Sequence, residues 1–364
     1  MSDHLAFSAS LHHRLAPAAD QPFCWSPYSV ASALGLAAAA SAGDTRAELV
    51  AALRGELPAV VDRLARAAEL EAAAGADEPV LAVTNTLYAH EELPVQESYL
   101  RALADWPGNA LRNAPFRAEP EKAREQINDD VAETTRGLIP ELLPPEAVDS
   151  ETVAALVNAL YLKTSWREAF DRAATAERTF HAPGGDREVP TMRFTRRTGY
   201  AARDGWQVVS LPATGGVEAL VLLPDGELAG TEAGLDGAAL GALLDAVEPQ
   251  RVELSLPRFE ATGEAELQRP LGALGVRALF TPAADFSPLT DAPLRISTMI
   301  HQAVLRIDES GLEGAAATAA MMRLTAVVSE PDPIPVVVDR PFLFLVRHQG
   351  SGALYFLARV VDPS

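Results

Sequence analysis

In the first hundred or so residues the apolar positions recur mainly at helical spacing; beyond Gly137 they gather into strand-like runs. Met1 to Ala16 reads as an amphipathic helix. Ser29 to Ala40 is nearly all apolar, which predicts a helix buried on every side. Thr45-Arg46-Ala47-Glu48, after Gly43-Asp44, has the capping-box pattern and predicts another helix start. Glu56 to Ala74 shows two faces and predicts a further helix. Pro79 to Tyr88 is rich in β-branched and aliphatic residues and predicts a strand. Pro120 to Arg136 predicts a helix closed by Gly137 at its C′ position.

Thr152 to Leu162 and Leu294 to Ile307 are long strand candidates. Trp206 to Pro212 and Val217 to Leu223 predict successive strands around Gly215-Gly216. Leu235 to Val247 predicts a helix, and Arg251 to Phe259 alternates with period two. Val336 to Val338, Pro341 to Arg347 and Ala353 to Val361 close the chain as strands. Helices first and strands later predict an α+β fold with large antiparallel or mixed sheets. One segment breaks the rhythm: Gly311-Leu312-Glu313-Gly314-Ala315-Ala316-Ala317-Thr318-Ala319-Ala320 has nothing that anchors it to a core. Propensity alone makes it an Ala-rich surface helix. An exposed segment able to change conformation is the other reading, and composition does not choose between them.

The 364 residues exceed the usual span of one domain, yet no Gly/Ser-rich or Pro-rich linker and no internal repeat divides them. One domain over residues 1–364 is expected. The net charge of −20 opposes binding to nucleic acid, because neutralising phosphates takes clustered Lys and Arg. The single cysteine, Cys24, lies in an apolar stretch and excludes an intrachain disulfide. No apolar run spans a membrane, and Met1 to Ala16 lacks a secretory apolar core. A cytoplasmic location is expected, with secretion by another route left open. No Gly-x-Ser-x-Gly elbow, Ser-x-x-Lys, His-Glu-x-x-His or phosphate loop is present. Neither an enzyme, a metal nor a cofactor is therefore expected.

The neighbours of the odd segment decide its reading. Ile307-Asp308-Glu309-Ser310-Gly311-Leu312-Glu313-Gly314-Ala315-Ala316-Ala317-Thr318 resembles the reactive-loop hinge of serpins. Other blocks resemble serpin motifs in the family's order. They are Ser26-Pro27-Tyr28-Ser29, Gly43-Asp44-Thr45, Asn158-Ala159-Leu160-Tyr161-Leu162-Lys163 with Trp166, and Phe170-Asp171. Leu256-Pro257-Arg258-Phe259, His301-Gln302-Ala303, Asp339-Arg340-Pro341-Phe342 and Asp362-Pro363 follow. The resemblance covers nearly the whole chain, and the composition suggests a bacterial type.

The resemblance implies a monomeric suicide-substrate inhibitor with residues 309–335 as hinge and reactive-centre loop. A serine protease would cut the loop and form an acyl-enzyme. The loop would then enter a β-sheet and drag the captive protease out of register. As a strand, one loop face carries Leu312, Gly314, Ala316, Thr318, Ala320 and Met322, all uncharged. The other carries Glu313, Ala315, Ala317, Ala319, Met321 and Arg323. The uncharged face would turn inward, between the strands at Thr152 to Leu162 and Leu294 to Ile307. Family spacing from Glu309 puts the scissile bond at Thr325–Ala326, with Leu324–Thr325 as second choice. An elastase- or chymotrypsin-like target is expected.

The alignment further assigns Glu309, Gly311, Leu312, Gly314, Ala315, Ala316, Ala317 and Thr318 to the hinge. Ser26, Ser29, Asn158 and His301 fall on the shutter, a polar cluster where the sheet parts. Trp166, Arg258 and Glu309 fall on the breach, where the loop enters; Arg258 and Glu309 are expected to form a surface ion pair of little stabilising effect. Leu312 replaces the usual Thr or Ser at the first inserting position and is expected to slow insertion without blocking it. Leu138 and Ala358 also depart from the family pattern. No basic run near Glu56 to Ala74 offers a heparin site. A non-inhibitory chaperone or carrier is the alternative; Pro or charge in the hinge would favour it, and only Glu313 of Gly311 to Ala320 is charged.

Overall fold

The computed structural model describes residues 2–16, 18–72, 78–97, 99, 109–313 and 331–364. The N-terminal part carries α1 (Ser2–Leu15), β1 (Phe23–Trp25), α2 (Pro27–Ala40), α3 (Gly43–Leu53) and α4 (Leu57–Ala68). Then come β2 (Val80–His90), β3 (Asn109–Ala114), α5 (Pro120–Thr134) and β4 (Ala154–Ser165). The middle holds β5 (Ala176–Ala182), β6 (Gly185–Arg203), β7 (Trp206–Pro212), β8 (Val217–Pro224), α6 (Leu228–Glu232) and α7 (Gly237–Asp245). The remainder is β9 (Glu248–Pro257), β10 (Phe259–Glu266), α8 (Gln268–Ala273), β11 (Thr298–Ile307) and β12 (Gly311–Leu312). Last come β13 (Ile334–Val337), β14 (Phe342–His348) and β15 (Leu354–Val360).

The strands form two sheets, as an α+β fold requires. The first runs β1-β15-β14-β8-β7-β6-β9-β13, with β5 added to β6. The second runs β10-β11-β12-β4-β2-β3. Helix α2 is buried along nearly its whole length, as its apolar sequence predicts, and Ser26 caps it by accepting a hydrogen bond from the Ser29 amide (3.1 Å). Strand β4 is apolar because both its faces are covered. Leu156, Leu160 and Leu162 join the main core with α2 and the first sheet. Ala155, Val157 and Ala159 face the other way and pack under α5 and the segment carrying Ile139, Leu142, Leu143 and Val148. Ile300 and Val304 of β11 pack against this second, smaller core.

Several sequence expectations shift. Thr45 and Glu48 do not cap α3, whose N-cap residue Ala42 makes no side-chain bond. Instead the Thr45 hydroxyl accepts from the Asp285 amide (3.0 Å), and Glu48 Oε2 accepts from the Arg277 and Ala278 amides (2.8 Å each). Those side chains pin a distant segment whose own amides lack ladder partners. Helix α4 ends at Ala68, short of Ala74. The alternating run at 251–259 is not one strand: the chain changes sheets at Arg258, and β9 and β10 belong to different sheets. Strands β5 and β6 are not evident in the sequence, since charged and polar residues at exposed and half-buried positions interrupt their alternation. Among the described residues no helix is long and apolar enough to cross a membrane, and no cluster of three or more His, Cys, Asp or Glu could hold a metal.

Candidate functional site: a forked sheet and its hinge

The second sheet is closed at one end and forked at the other. Strands β11 and β4 pair directly, in parallel, from Thr298↔Ala155 to His301↔Asn158. Past that row their direct pairing stops. At the far end β12 lies between them, antiparallel to both: Leu312 pairs with Ile307 and with Thr164, and Gly311 with Ser165. Leu312 is therefore not waiting to insert, as its sequence position suggested. It is wholly buried in the main core, and its larger side chain fills that position.

Local chemistry makes the turn into β12. The Asp308 carboxylate accepts from the Ser310 amide (2.7 Å) and the Gly311 amide (3.2 Å), while the Asp308 amide donates to the Gly311 carbonyl (3.1 Å). Gly311 has φ 154, and a Cβ there would lie 2.1 Å from the Thr164 carbonyl oxygen. Only glycine lets the hinge lie this close to β4.

Trp166, Arg258 and Glu309 come together around that turn. The Trp166 indole donates to the Asp308 carbonyl (2.9 Å), and its amide donates to the Ser310 carbonyl (2.9 Å). The Phe170 amide donates to the Glu309 carbonyl (2.9 Å). Glu309 Oε1 accepts from Arg258 Nε (2.7 Å) and from the Thr175 hydroxyl (2.5 Å). The expected surface pair is thus a half-buried one: the Glu309 side chain is 2% exposed and that of Arg258 41%. Burial pushes the Glu309 pKa up, but the Arg258 and Thr175 hydrogen bonds outweigh it and hold the carboxyl below its ordinary range. Removing Arg258 would leave a buried charge with one hydroxyl partner, a larger loss than an exposed pair carries.

Ser26, Asn158 and His301 meet where the fork begins. His301 Nε2 accepts from the Ser26 amide (2.9 Å), so the proton of the neutral ring sits on Nδ1 and is donated to Asn158 Oδ1 (3.1 Å). Asn158 Nδ2 donates to the Ser29 carbonyl (2.9 Å) and to Asn85 Oδ1; Asn85 Nδ2 donates to the Ser32 hydroxyl (2.8 Å). Ser29 takes part through its backbone, and its hydroxyl finds no hydrogen-bond partner among the described residues. Asn85 and Ser32 were missed, although a lone Asn inside an apolar strand run is a signal for such a network. The remaining expected hinge residues Gly314, Ala315, Ala316, Ala317 and Thr318, and the expected scissile positions Leu324, Thr325 and Ala326, lie outside the described residues.

Burial pushes the His301 pKa from 6.5 down to about 3, and burial does the same to His4. The unfolded chain therefore takes up protons near 6.5 that the folded chain refuses until about 3. The stability these neutral rings confer is complete above the first value and drains away toward the second, at up to about 1.4 kcal/mol per pH unit per ring. Urea midpoints are expected to fall between pH 7.5 and pH 5, a window above ordinary carboxylate titration, and His301→Gln should flatten that fall. A midpoint independent of pH there would contradict the neutral assignment.

Beyond the row His301–Asn158, then, the two parallel strands are bridged among the described residues only by the short strand β12. Residues 3–363 match the family profile described as serpin (serine protease inhibitor). Leukocyte elastase inhibitor of Sus scrofa is 33% identical over 354 residues, covering 93% of this chain and 92% of the relative. Serpin-Z1C of Triticum aestivum is 33% identical over 362 residues, covering 93% and 89%. The fold matches uncleaved ovalbumin with a TM-score of 0.86 at 24% identity, covering 100% of this chain and 99% of that one. Thyroxine-binding globulin in complex with thyroxine matches at 0.85 and 23%, with the same coverage. The chain belongs to the serpin family, described as serine protease inhibitors, and the porcine relative is named as an inhibitor rather than as an enzyme.

Proposed function

We propose that this chain is an irreversible inhibitor of serine endopeptidases that works by inserting its own cut loop between β4 and β11. The observation that carries the reading is Leu312 paired on both sides at the open end of a fork that is closed at His301–Asn158. Continuing both registers from Leu312 places residues 313–317 beside 163–159 on one side and 306–302 on the other. Thr318 then falls opposite Asn158 and His301 together, so the two registers converge on the closed row. Insertion has two stages on this geometry: five residues fill the fork, and only then must the direct β11–β4 pairs and the Ser26–His301–Asn158 network part.

In this reading residues 1–364 work as one domain, with 309–335 as hinge and loop. Glu309, Arg258 and Trp166 hold the turn from which the strand grows. The target's serine supplies the chemistry, attacking at Thr325–Ala326 or at Leu324–Thr325. The inhibitor's part is to move the acyl-enzyme before water resolves it; a misplacement of about 1 Å already slows such a reaction by roughly 100-fold. The relative from Sus scrofa, named for leukocyte elastase, supports an elastase-like target. The ovalbumin and thyroxine-binding globulin likenesses speak for the fold only.

Incubation with chymotrypsin, elastase, trypsin and subtilisin, followed by denaturing gels and mass spectrometry, tests the proposal. A complex that survives SDS and a cut after Thr325 or Leu324 are expected. Cleavage with no complex from any of the four would overturn inhibition, and a cut after Arg323 would overturn the specificity.

A further inference from the structure

Glu313 stands at the last described position before the loop, and both its backbone and its carboxylate are held on the β11 side. Its amide still donates to the Arg306 carbonyl (3.2 Å), continuing the ladder by one bond on the β11 side. Its Oε1 lies 3.3 Å from Arg306 Nη1, while Arg306 Nε is held by Glu260 (2.7 Å). Its φ of 52 is a left-handed value that a non-glycine residue seldom adopts, so the extended backbone of β12 ends at this residue.

One further step of the two registers puts residue 313 opposite Arg306 of β11 and Lys163 of β4. Alternation from Leu312, which faces the main core, turns residue 313 to the opposite face, the one Ile300, Val304 and Ala159 share. That row of the fork is therefore cationic on both strands, and Glu313 is the only acid from Gly311 to Ala320. A slip of one residue would send the carboxylate inward beside Leu305 and Leu162, both buried.

Resting on the insertion reading above, we propose that Glu313 is a positioning residue that sets the register of the entering strand, seating its carboxylate between Arg306 and Lys163. Correct register keeps every uncharged alternate residue facing inward; a slipped strand stalls, and the acyl-enzyme is hydrolysed instead.

The readout is partition: the ratio of cleaved free inhibitor to SDS-resistant complex, with whichever of the four proteases gives most complex with the native sequence. Glu313→Gln should raise that ratio about two- to fivefold, the range for a partly exposed pair. Glu313→Lys should raise it further, and Glu313→Lys combined with Lys163→Glu should return most of the lost complex. A merely structural role would not be rescued by exchanging the charges. Should all three variants partition like the native sequence, the register role is wrong while the inhibitory reading stands. Absence of complex from the native sequence itself would remove the reading on which the role rests.

Discussion

Leu312→Arg is expected to convert the protein from an inhibitor into a substrate. The native position is wholly buried between Ile307 and Thr164, so the arginine would be expelled from the fork, leaving the rest of the fold in place. After the loop is cut, the strand can only re-enter by taking that charge back into the main core. An unpaired charge there costs several kcal/mol. Each ~1.4 kcal/mol on the insertion barrier slows it about tenfold, so a slowing of at least ~100-fold is expected. Hydrolysis of the acyl-enzyme then wins. On gels, equimolar protease should yield cleaved chain and no SDS-resistant complex, whereas Leu312→Thr should keep most of it. Undiminished complex from Leu312→Arg would mean that the hinge need not re-enter at this row.

A single cut in the loop is expected to make the protein much harder to melt. A new central strand of about a dozen residues adds roughly a dozen ladder bonds at ~0.5–1.5 kcal/mol each, on the order of 10 kcal/mol before burial is counted. At the ~2 °C per kcal/mol suited to a domain of this size, the midpoint should rise by roughly 20 °C. Calorimetry of intact and nicked protein reads this directly. Equal melting temperatures would show that the strand has not entered. A gain on this scale also requires the intact fold to be held by a barrier, since a domain's whole stability is of similar size.

The sequence carried the elements whose burial is simple. The apolar run of α2, the long apolar β4 and the closing strands all follow from hydrophobic pattern. The turn from Asp308 to Gly311 was approached only through resemblance, since neither propensity nor hydrophobic pattern signals it. What stayed hidden depended on long-range partners. Thr45 and Glu48 have the spacing of a cap, but the amides at 277, 278 and 285 compete for them and win. Asn85 becomes part of the polar row only because β2 pairs with β4 at Asn158. Thr175, 134 residues from Glu309 along the chain, reaches its carboxylate. That Leu312 is already paired with both β11 and β4 depends on partners the sequence does not display.

The small core beneath α5 has an evolutionary corollary. A strand passing between Ala159 and Gln302 travels beneath a fitted ceiling of Ile139, Leu142 and Leu143, and above a floor just as tightly packed. Ala315, Ala317 and Ala319 would slide along that ceiling, so bulk is excluded there as firmly as charge is excluded below. If the loop enters as proposed, selection for a new prey therefore has little room from Gly311 to Ala320. On the proposed mechanism it would fall on the stretch from Met321 to Ala326, and the moving part can stay unchanged while the bait diverges.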